Sequence, residues 1–368
     1  MYKTSNEEAK NLMRDVIQRV AVGPDRGRDI DLDEAQAVMQ AVLNGQIDEV
    51  QIAVFFIALR MKRESLQECL GLFNAMQSNV ETSVCDVEQL ICLADPFDGY
   101  VRHVSMSPFL PAVLAACGLP TLIHGVESVG PKHGVTACKV YQLSGIETFH
   151  SAQDAANSIK QSGWAYLDQS QYAPKFFKLN NLRDQIVKRT ALTTLERLLI
   201  PIKARGKTHL MLGYVHQAYP QIYAAVAKNA GYDSALLIKG VEGGLMPALN
   251  KPLRRYFFTR EKSNKLDFND ANSVEEYKEV LEINEFSNIS QAAQLVDKES
   301  EINMTELCLE TGLAVLAGQK GIARDSLCLA AGQILFTHQY SDSMNNAVDQ
   351  IRDVIDSGKG LVSFNKGS

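Results

Sequence analysis

No Cys-x-x-Cys pair occurs in this chain. The seven cysteines, Cys69, Cys85, Cys92, Cys117, Cys138, Cys308 and Cys328, are odd in number and scattered, which argues against a disulfide framework or a zinc site. Most sit in apolar runs and suit small core positions. No apolar run approaches the roughly 20 residues of a membrane-spanning helix, so no membrane partner is expected. The opening MYKTSNEEAK is polar and carries no signal-peptide core, and a cytoplasmic location is expected. A basic excess is lacking too: 37 Lys and Arg face 43 Asp and Glu, a net charge of −6, which argues against bulk attraction to nucleic acid. There is no internal repeat and no low-complexity tail. What is present is 368 residues, 46% apolar and 22% charged, ordinary for a globular chain and enough for one large or two modest domains.

The charge is unevenly placed. Nine cations between Lys175 and Lys207 face only Asp184 and Glu196, a local +7, and thirteen acids between Glu261 and Glu310 face four lysines, a local −9. A local basic segment either meets a polyanion on a chain that is acidic overall or is paired within the fold.

Apolar residues at helical spacing predict helices over Asn6–Val20, over Ala35–Leu43 behind a capping box at Asp31 and Glu34, and over about Asp48–Lys62 and Glu64–Gln77. After Asp86 strand and helix patterns alternate, as a mainly parallel sheet requires. Strands are expected at Leu90–Ala94, Pro120–Ile123, Trp164–Leu167, Thr208–Gly213, Ala235–Lys239 and Arg255–Thr259. Helices are expected at Pro108–Cys117, Val135–Leu143, Ala152–Gln161, Leu192–Leu199, Pro220–Ala230, Ser290–Leu295, Met304–Leu316, Ile322–His338 and near Met344–Ser357. The polar stretch Glu261–Asn288 reads as a surface excursion with one short acidic helix, and Lys359–Ser368 as a frayed end. The expected fold class is therefore α/β. An N-terminal α-helical bundle, residues 1–85, is joined by helices near 182–205, and a larger α/β domain with a mainly parallel sheet spans 86–368.

The stretch Leu90–Gly134 organises the rest. A buried strand runs into the loop Asp95–Ser107, Pro108 opens a helix that Gly118 ends, and a second strand stops at His124-Gly125. Loops at the carboxyl ends of parallel strands line the ligand crevice, which makes Asp95–Ser107 and His124–Gly134 neighbours over one site. In order and spacing this stretch resembles the anthranilate phosphoribosyltransferase family, glycosyltransferase family 3, and most of all a divergent second paralogue branch of it. Ala116-Cys117-Gly118, His124-Gly125, Ser128 and Lys132 stand in register with the family pattern, and residues 31–76 resemble its N-terminal bundle. The resemblance implies a nucleoside phosphorylase/phosphoribosyltransferase-like fold and a homodimer formed through the N-terminal helices. It also implies phosphoribosyl transfer from phosphoribosyl pyrophosphate, with Mg²⁺ as cofactor only where that transfer survives.

The departures from the pattern carry as much information. The family's GTGGD loop has backbone N–H groups free to crowd a diphosphate. Here Asp95-Pro96-Phe97-Asp98-Gly99 stands in its place, with one N–H removed by Pro96 and two carboxylates where the anion belongs. Asp98, Gly99, Arg102, His103, Ser105 and Ser107 are candidates for anion contact, or else form a polar loop capping the next helix. In the second loop His124, Gly125, Ser128 and Lys132 are candidates, Lys132 on a phosphate or simply in solvent. Val126 and Glu127 replace the family's Asn and Arg there, and the second change inverts a charge. Arg183 falls where the resemblance implies a contact to an aromatic carboxylate, for which a guanidinium fork is suited, or lies on a basic surface helix; Thr193, Glu196 and Arg197 replace the family's Asn and Gly-Pro. In Leu236–Pro247 the resemblance implies two acids that hold Mg²⁺; Leu245 and Met246 stand there and cannot ligate a hard cation, which leaves Glu242 alone. His216 reads as a histidine satisfied within its loop, or as a donor to an anion or to the ribose of a nucleotide.

These substitutions predict phosphoribosyl transfer that is weakened or lost, no assignable catalytic residue, no metal ligands, and a small phosphorylated ligand as one partner. The alternative, implied by the paralogue branch, is a protein of the same fold that binds DNA or RNA without sequence preference. Lys175, Lys178, Lys188, Arg189, Arg197, Lys203, Arg205 and Lys207 would supply its polyanion patch.

Overall fold

The computed structural model describes residues 5–23, 25–281 and 303–367; the expected helix Ser290–Leu295 and the end of the Glu261–Asn288 excursion lie outside them. Four helices come first: α1 (Asn6–Val20), α2 (Leu32–Leu43), α3 (Glu49–Lys62) and α4 (Leu66–Gln77). Three of them open with a reciprocal capping box, Ser5 with Glu8, Asp31 with Glu34 and Ser65 with Glu68. Each cap satisfies orphan N–H groups and contributes about 1 kcal/mol. α2 packs along α4, α1 along α3, and α4 also meets the helix Tyr219–Ala230. Among the described residues no helix is long and apolar enough to cross a membrane.

Among the described residues nine strands follow: β1 (Ser83–Cys85), β2 (Gln89–Ala94), β3 (Thr121–Gly125), β4 (Trp164–Asp168), β5 (Ile202–Ala204), β6 (Lys207–Tyr214), β7 (Ser234–Lys239), β8 (Leu253–Thr259) and β9 (Lys278–Leu281). Seven form one sheet in the order β4-β3-β2-β6-β7-β8-β9. It is parallel as far as β7, while β8 and β9 add on antiparallel. Both faces of the sheet are covered, so side chains alternate between two cores. Leu90, Cys92, Leu210 and Leu212 join the core shared with the N-terminal helices. Ile91, Leu93, Met211 and Ile238 join the core under the C-terminal helices. From β2 the chain winds outward to β3 and β4, then returns to β6 on the other side. The order reverses there, and a crevice opens outside the carboxyl ends of the strands at such a point.

The expected strands and long helices all occur, with bounds displaced by a few residues. β1 and β5 were not expected; they pair with each other in parallel, apart from the main sheet, and three residues each are too few to show a pattern. The excursion contributes the edge strand β9. The frayed end expected at Lys359–Ser368 is corrected: Lys359–Asn365 is helical. Its Phe364 stacks on Phe109 and on Trp164, and the Trp164 indole N–H donates to the Ser363 carbonyl at 2.9 Å. One aromatic side chain reaching the core outweighs the polar composition around it.

His124 and His209 are buried, and the half-buried His338 packs its ring against that of His209. Burial pushes His124 down to about 3 and His209 to about 4; burial and the ring of His209, 4.4 Å away between centroids, push His338 down to about 3. The unfolded chain takes up these protons near pH 6.5, before the folded one does. Stability should therefore fall below pH 6.5, by up to about 1.4 kcal/mol per pH unit for each histidine, down to the folded values. Urea unfolding at pH 7.5, 6 and 5 should show this acid loss, reduced in a His338→Phe variant.

Candidate functional site

Four loops meet at the carboxyl end of the sheet, after β2, β3, β6 and β7. Asp95, the first residue after β2, is buried. The Tyr100 hydroxyl donates to its Oδ1 at 2.6 Å and the Leu245 N–H to the same oxygen at 3.2 Å, while the Ser107 hydroxyl donates to Oδ2. Burial raises its pKa, against these hydrogen bonds and the charge of Arg197. Ser107 in turn shares a 2.9 Å hydrogen bond with Ser105. Both serines are therefore spent on holding Asp95 and do not present themselves to an anion.

The first and second loops are zipped together. Tyr100 N–H donates to the Val135 carbonyl at 2.9 Å, Val135 N–H to the Tyr100 carbonyl at 2.8 Å, and Gly134 N–H to the Asp98 carbonyl at 2.9 Å. Gly99 has φ +74° and lies so close to Gly134 that a Cβ on it would meet that carbonyl carbon at 2.6 Å, which is why no side chain is accommodated there. Beside the zipper Phe97, Val126 and Val129 form a small apolar cluster. The pocket beneath, lined by Asp95, Phe97, His124, Cys138 and Tyr166, has a volume of about 10 Å³, room for roughly one water. His124 donates or accepts through Nδ1 at the Tyr172 hydroxyl, 2.9 Å away, and its buried Nε2 has no protein partner.

At the mouth two acids, Asp98 and Glu242, hold two cations, Arg189 and Lys132. The Arg189 guanidinium grips Asp98 Oδ2 through Nε at 2.8 Å and Nη2 at 2.6 Å, and Lys132 Nζ lies 3.5 Å from Oδ1. Lys132 also reaches Glu242 Oε2 at 3.3 Å. Glu242 Oε1 accepts from the Arg102 N–H at 3.0 Å and faces His103 Nδ1 at 3.1 Å, and Oε2 accepts from the Val101 N–H at 3.4 Å. Burial raises the pKa of Glu242, but the hydrogen bond from His103, the charge of Lys132 and the two backbone N–H groups prevail and hold it at about 2. Deeper, Arg183 is buried and forks onto Glu196, Nη1 and Nη2 each 2.7 Å from an oxygen.

The structure thus gathers Asp98, Gly99, His103, Lys132 and the backbone of Arg102 into one place. Gly125 ends β3 beside His124; Ser128 bonds His133 Nδ1 at 3.1 Å on the outer side of the second loop. Arg183 is corrected from a surface or substrate-facing cation to one committed inside the protein. His216 is exposed at the loop after β6, its ring 6.2 Å from that of Tyr219.

The basic segment does not form one patch. Arg197 is buried and donates to the Ala94 and Gly243 carbonyls, Arg189 is held by Asp98, and Arg205 pairs with Asp86 and Glu88. Lys175 bonds the side-chain oxygens of Asn44 and Asn79. Lys178, Lys188, Lys203 and Lys207 are exposed. Lys207 opens β6 and Lys203 lies in β5, whereas Lys188 adjoins Arg189 at the crevice. The eight residues of β6 separate these ends by roughly 26 Å at 3.3 Å per residue.

The residues present do not fit Mg²⁺. Leu245 and Met246 are buried apolar side chains, and among the described residues no group of three His, Cys, Asp or Glu is disposed to hold a metal. The sequence offered Glu242 only as a lone acid at the metal turn and Arg189 only as a patch cation, and gave Glu196 no role in the crevice. The available signal was that acids are gained, at Asp98, Glu127 and Glu196, near cations that are kept.

Comparison with known proteins agrees with this architecture. A domain described as "Glycosyl transferase family, helical bundle domain" matches residues 14–80, and "Glycosyl transferase family, a/b domain" matches residues 99–252. An anthranilate phosphoribosyltransferase of Methanobrevibacter smithii is 25% identical over 92% of this chain and 95% of its own. The uncharacterized protein YbiB of Escherichia coli is 27% identical over 62% of this chain and 71% of its own. In three dimensions, the anthranilate phosphoribosyltransferase of Thermus thermophilus superimposes with a TM-score of 0.73 at 18% identity, over 95% of this chain and 97% of that one. The Saccharomyces cerevisiae enzyme in complex with PRPP and Mg superimposes with 0.72 at 13%, over 98% and 97%. The chain belongs to this glycosyl transferase family, glycosyltransferase family 3.

Replacing Glu196 by Ala strands the buried Arg183 charge and should cost about 3–5 kcal/mol in urea unfolding. The double replacement Arg183→Met with Glu196→Leu should recover most of that loss.

Proposed function

We propose that this glycosyl transferase family 3 protein keeps an anthranilate phosphoribosyltransferase-like scaffold with its crevice closed on its own carboxylates, so that phosphoribosyl transfer is weakened or lost. The observation that carries this reading is Asp98, 1% exposed and clasped by Arg189 and Lys132. A sugar diphosphate needs cations and free backbone N–H groups at that place, and here the cations are neutralised before any ligand arrives. Arg183 supports the same reading. An aromatic carboxylate would have to displace Glu196 from a bidentate, desolvated pair, leaving a buried carboxylate without its partner. With Leu245 and Met246 in the loop after β7, no step of the reaction is derived through Mg²⁺.

The polyanion alternative has weaker support. Of its five exposed lysines, Lys188 adjoins the crevice, Lys203 and Lys207 stand toward the opposite end of β6, and Lys175 is tied to Asn44 and Asn79.

We also propose the homodimer that the resemblance implies. α3 is apolar on nearly every side, a pattern suited to burial. Yet Val50, Val54 and Met61 are 76%, 42% and 63% exposed, at positions that share one stripe, and Val187 of the adjoining segment is 60% exposed. A second copy covers such a stripe.

Calorimetry with phosphoribosyl pyrophosphate at millimolar concentration, with and without Mg²⁺, should show no metal-dependent heat, and fluorescence should show no consumption of anthranilate at an ordinary enzymatic rate. Light scattering after gel filtration should give twice the chain mass, and a Val54→Glu variant should give one.

A further inference from the structure

Two imidazoles meet at the amino end of the sheet, at the end of β6 opposite the crevice. His209 lies in β6 on the same face as Met211, and its register partner is Ser234, the first residue of β7. It is 6% exposed. Its Nδ1 lies 2.8 Å from the Ser234 hydroxyl oxygen, while its Nε2 is buried and has no partner in the protein. A buried polar atom left without a partner costs about 1–3 kcal/mol, and a bound ion is one of the few things that accounts for it. Against this ring stands His338, which closes the helix Ile322–Thr337; the centroids are 4.4 Å apart and the planes 52°. His338 is half-buried, so the pair has a way out to solvent.

One cation fits between these rings. Imidazole nitrogens bind ions such as Zn²⁺ at about 2.0–2.1 Å, and two rings held at a right angle on one ion then have centroids roughly 4.5 Å apart, close to the separation found. The Ser234 hydroxyl at Nδ1 is the kind of partner that a ligating histidine keeps on its other nitrogen, and it fixes the ring. His338 follows the carboxyl end of a helix, where the peptide dipoles favour positive charge. Of the charged side chains that act on His209, Asp233 favours a cation and Lys207 opposes it. Asp233 is itself engaged by the Thr208 N–H at 2.9 Å and by Arg260 at 3.3 Å. Arg255, which donates to the Thr337 hydroxyl at 2.7 Å, is neutralised by Glu279. Among the described residues no third side chain of the ligating types completes a cluster with the two histidines.

We infer that His209 and His338 form a two-histidine site for a late first-row divalent cation of the Cu²⁺ or Zn²⁺ kind, with water completing its coordination. Two imidazoles suit such ions, and a site without carboxylate oxygens does not suit Mg²⁺ or Ca²⁺. Once bound, the ion joins the end of the helix Ile322–Thr337 to β6 and gives the buried Nε2 a partner. The site shares no residue with the crevice and does not depend on how the crevice is read.

The test uses the full chain, treated with a chelator and desalted, and Cu²⁺, Zn²⁺ and Mg²⁺ salts as probes. Calorimetry should give one site per chain for Cu²⁺, weaker binding of Zn²⁺ in the usual order of affinities, and no heat with Mg²⁺. His209→Phe and His338→Phe should each lower Cu²⁺ affinity roughly tenfold or more, since even the loss of an outer-shell partner costs that much. A His133→Asn/His216→Asn double variant, which removes two exposed histidines, should bind as the unaltered protein does. If the phenylalanine variants fail to fold, the unaltered protein decides. Electron paramagnetic resonance of its Cu²⁺ complex should show two coordinated imidazole nitrogens, and the side-chain NMR signals of His209 and His338 should shift together on addition of Zn²⁺. No Cu²⁺ binding tighter than millimolar, undiminished affinity in either phenylalanine variant, loss of the site in the His133/His216 double variant, or a spectrum with fewer than two imidazole nitrogens overturns the inference.

Discussion

Charge neutralisation at the mouth of the crevice governs this molecule. Arg189, Asp98, Lys132 and Glu242 form a continuous chain of opposite charges that links the loops after β2, β3 and β7. Each loop by itself would carry uncompensated charge into a place of low exposure, which costs several kcal/mol per ion. Together they are compensated, and the three loops become one rigid unit. The backbone zipper between Tyr100 and Val135 and the seat of Asp95 under Tyr100, Ser107 and Leu245 follow from the same closure.

The sheet explains why these groups meet at all. Glu242 is separated from Asp98 and Lys132 by more than a hundred residues of chain, yet each of the three follows the carboxyl end of a parallel strand at or beside the reversal of strand order. A doubly covered sheet leaves its strand ends as the open surface, so loop chemistry is concentrated there. In this family member the same geometry that would assemble a substrate site assembles an internal salt network. Arg183 and Glu196 repeat the pattern in the wall behind it.

Much of the framework was legible beforehand, for physical reasons that can be named. The N-terminal helices declare themselves through capping pairs such as Asp31 with Glu34, where a local hydrogen-bond requirement is met by residues three apart. The central strands are continuous apolar runs because both faces are buried. The short strands β1, β5 and β9 were not legible, since three or four residues show no period and their pairing is decided by distant partners. The C-terminal helix was misread because its composition is polar, whereas its placement depends on Phe364 finding Phe109 and Trp164.

For the candidate site, the residue list by itself determined what is missing: a first loop with a single glycine, and Leu245-Met246 where the resemblance implies two acids. Side-chain identity at single positions suffices to read that. Only the tertiary structure decided what the remaining charges do. Whether Lys132, Arg183 and Arg189 face solvent, a ligand or an acid of the same chain depends on which loops are adjacent, and a charge is defined in its effect by the nearest opposite charge and the water excluded around it. Those are distances in space, which the order of residues along the chain does not contain.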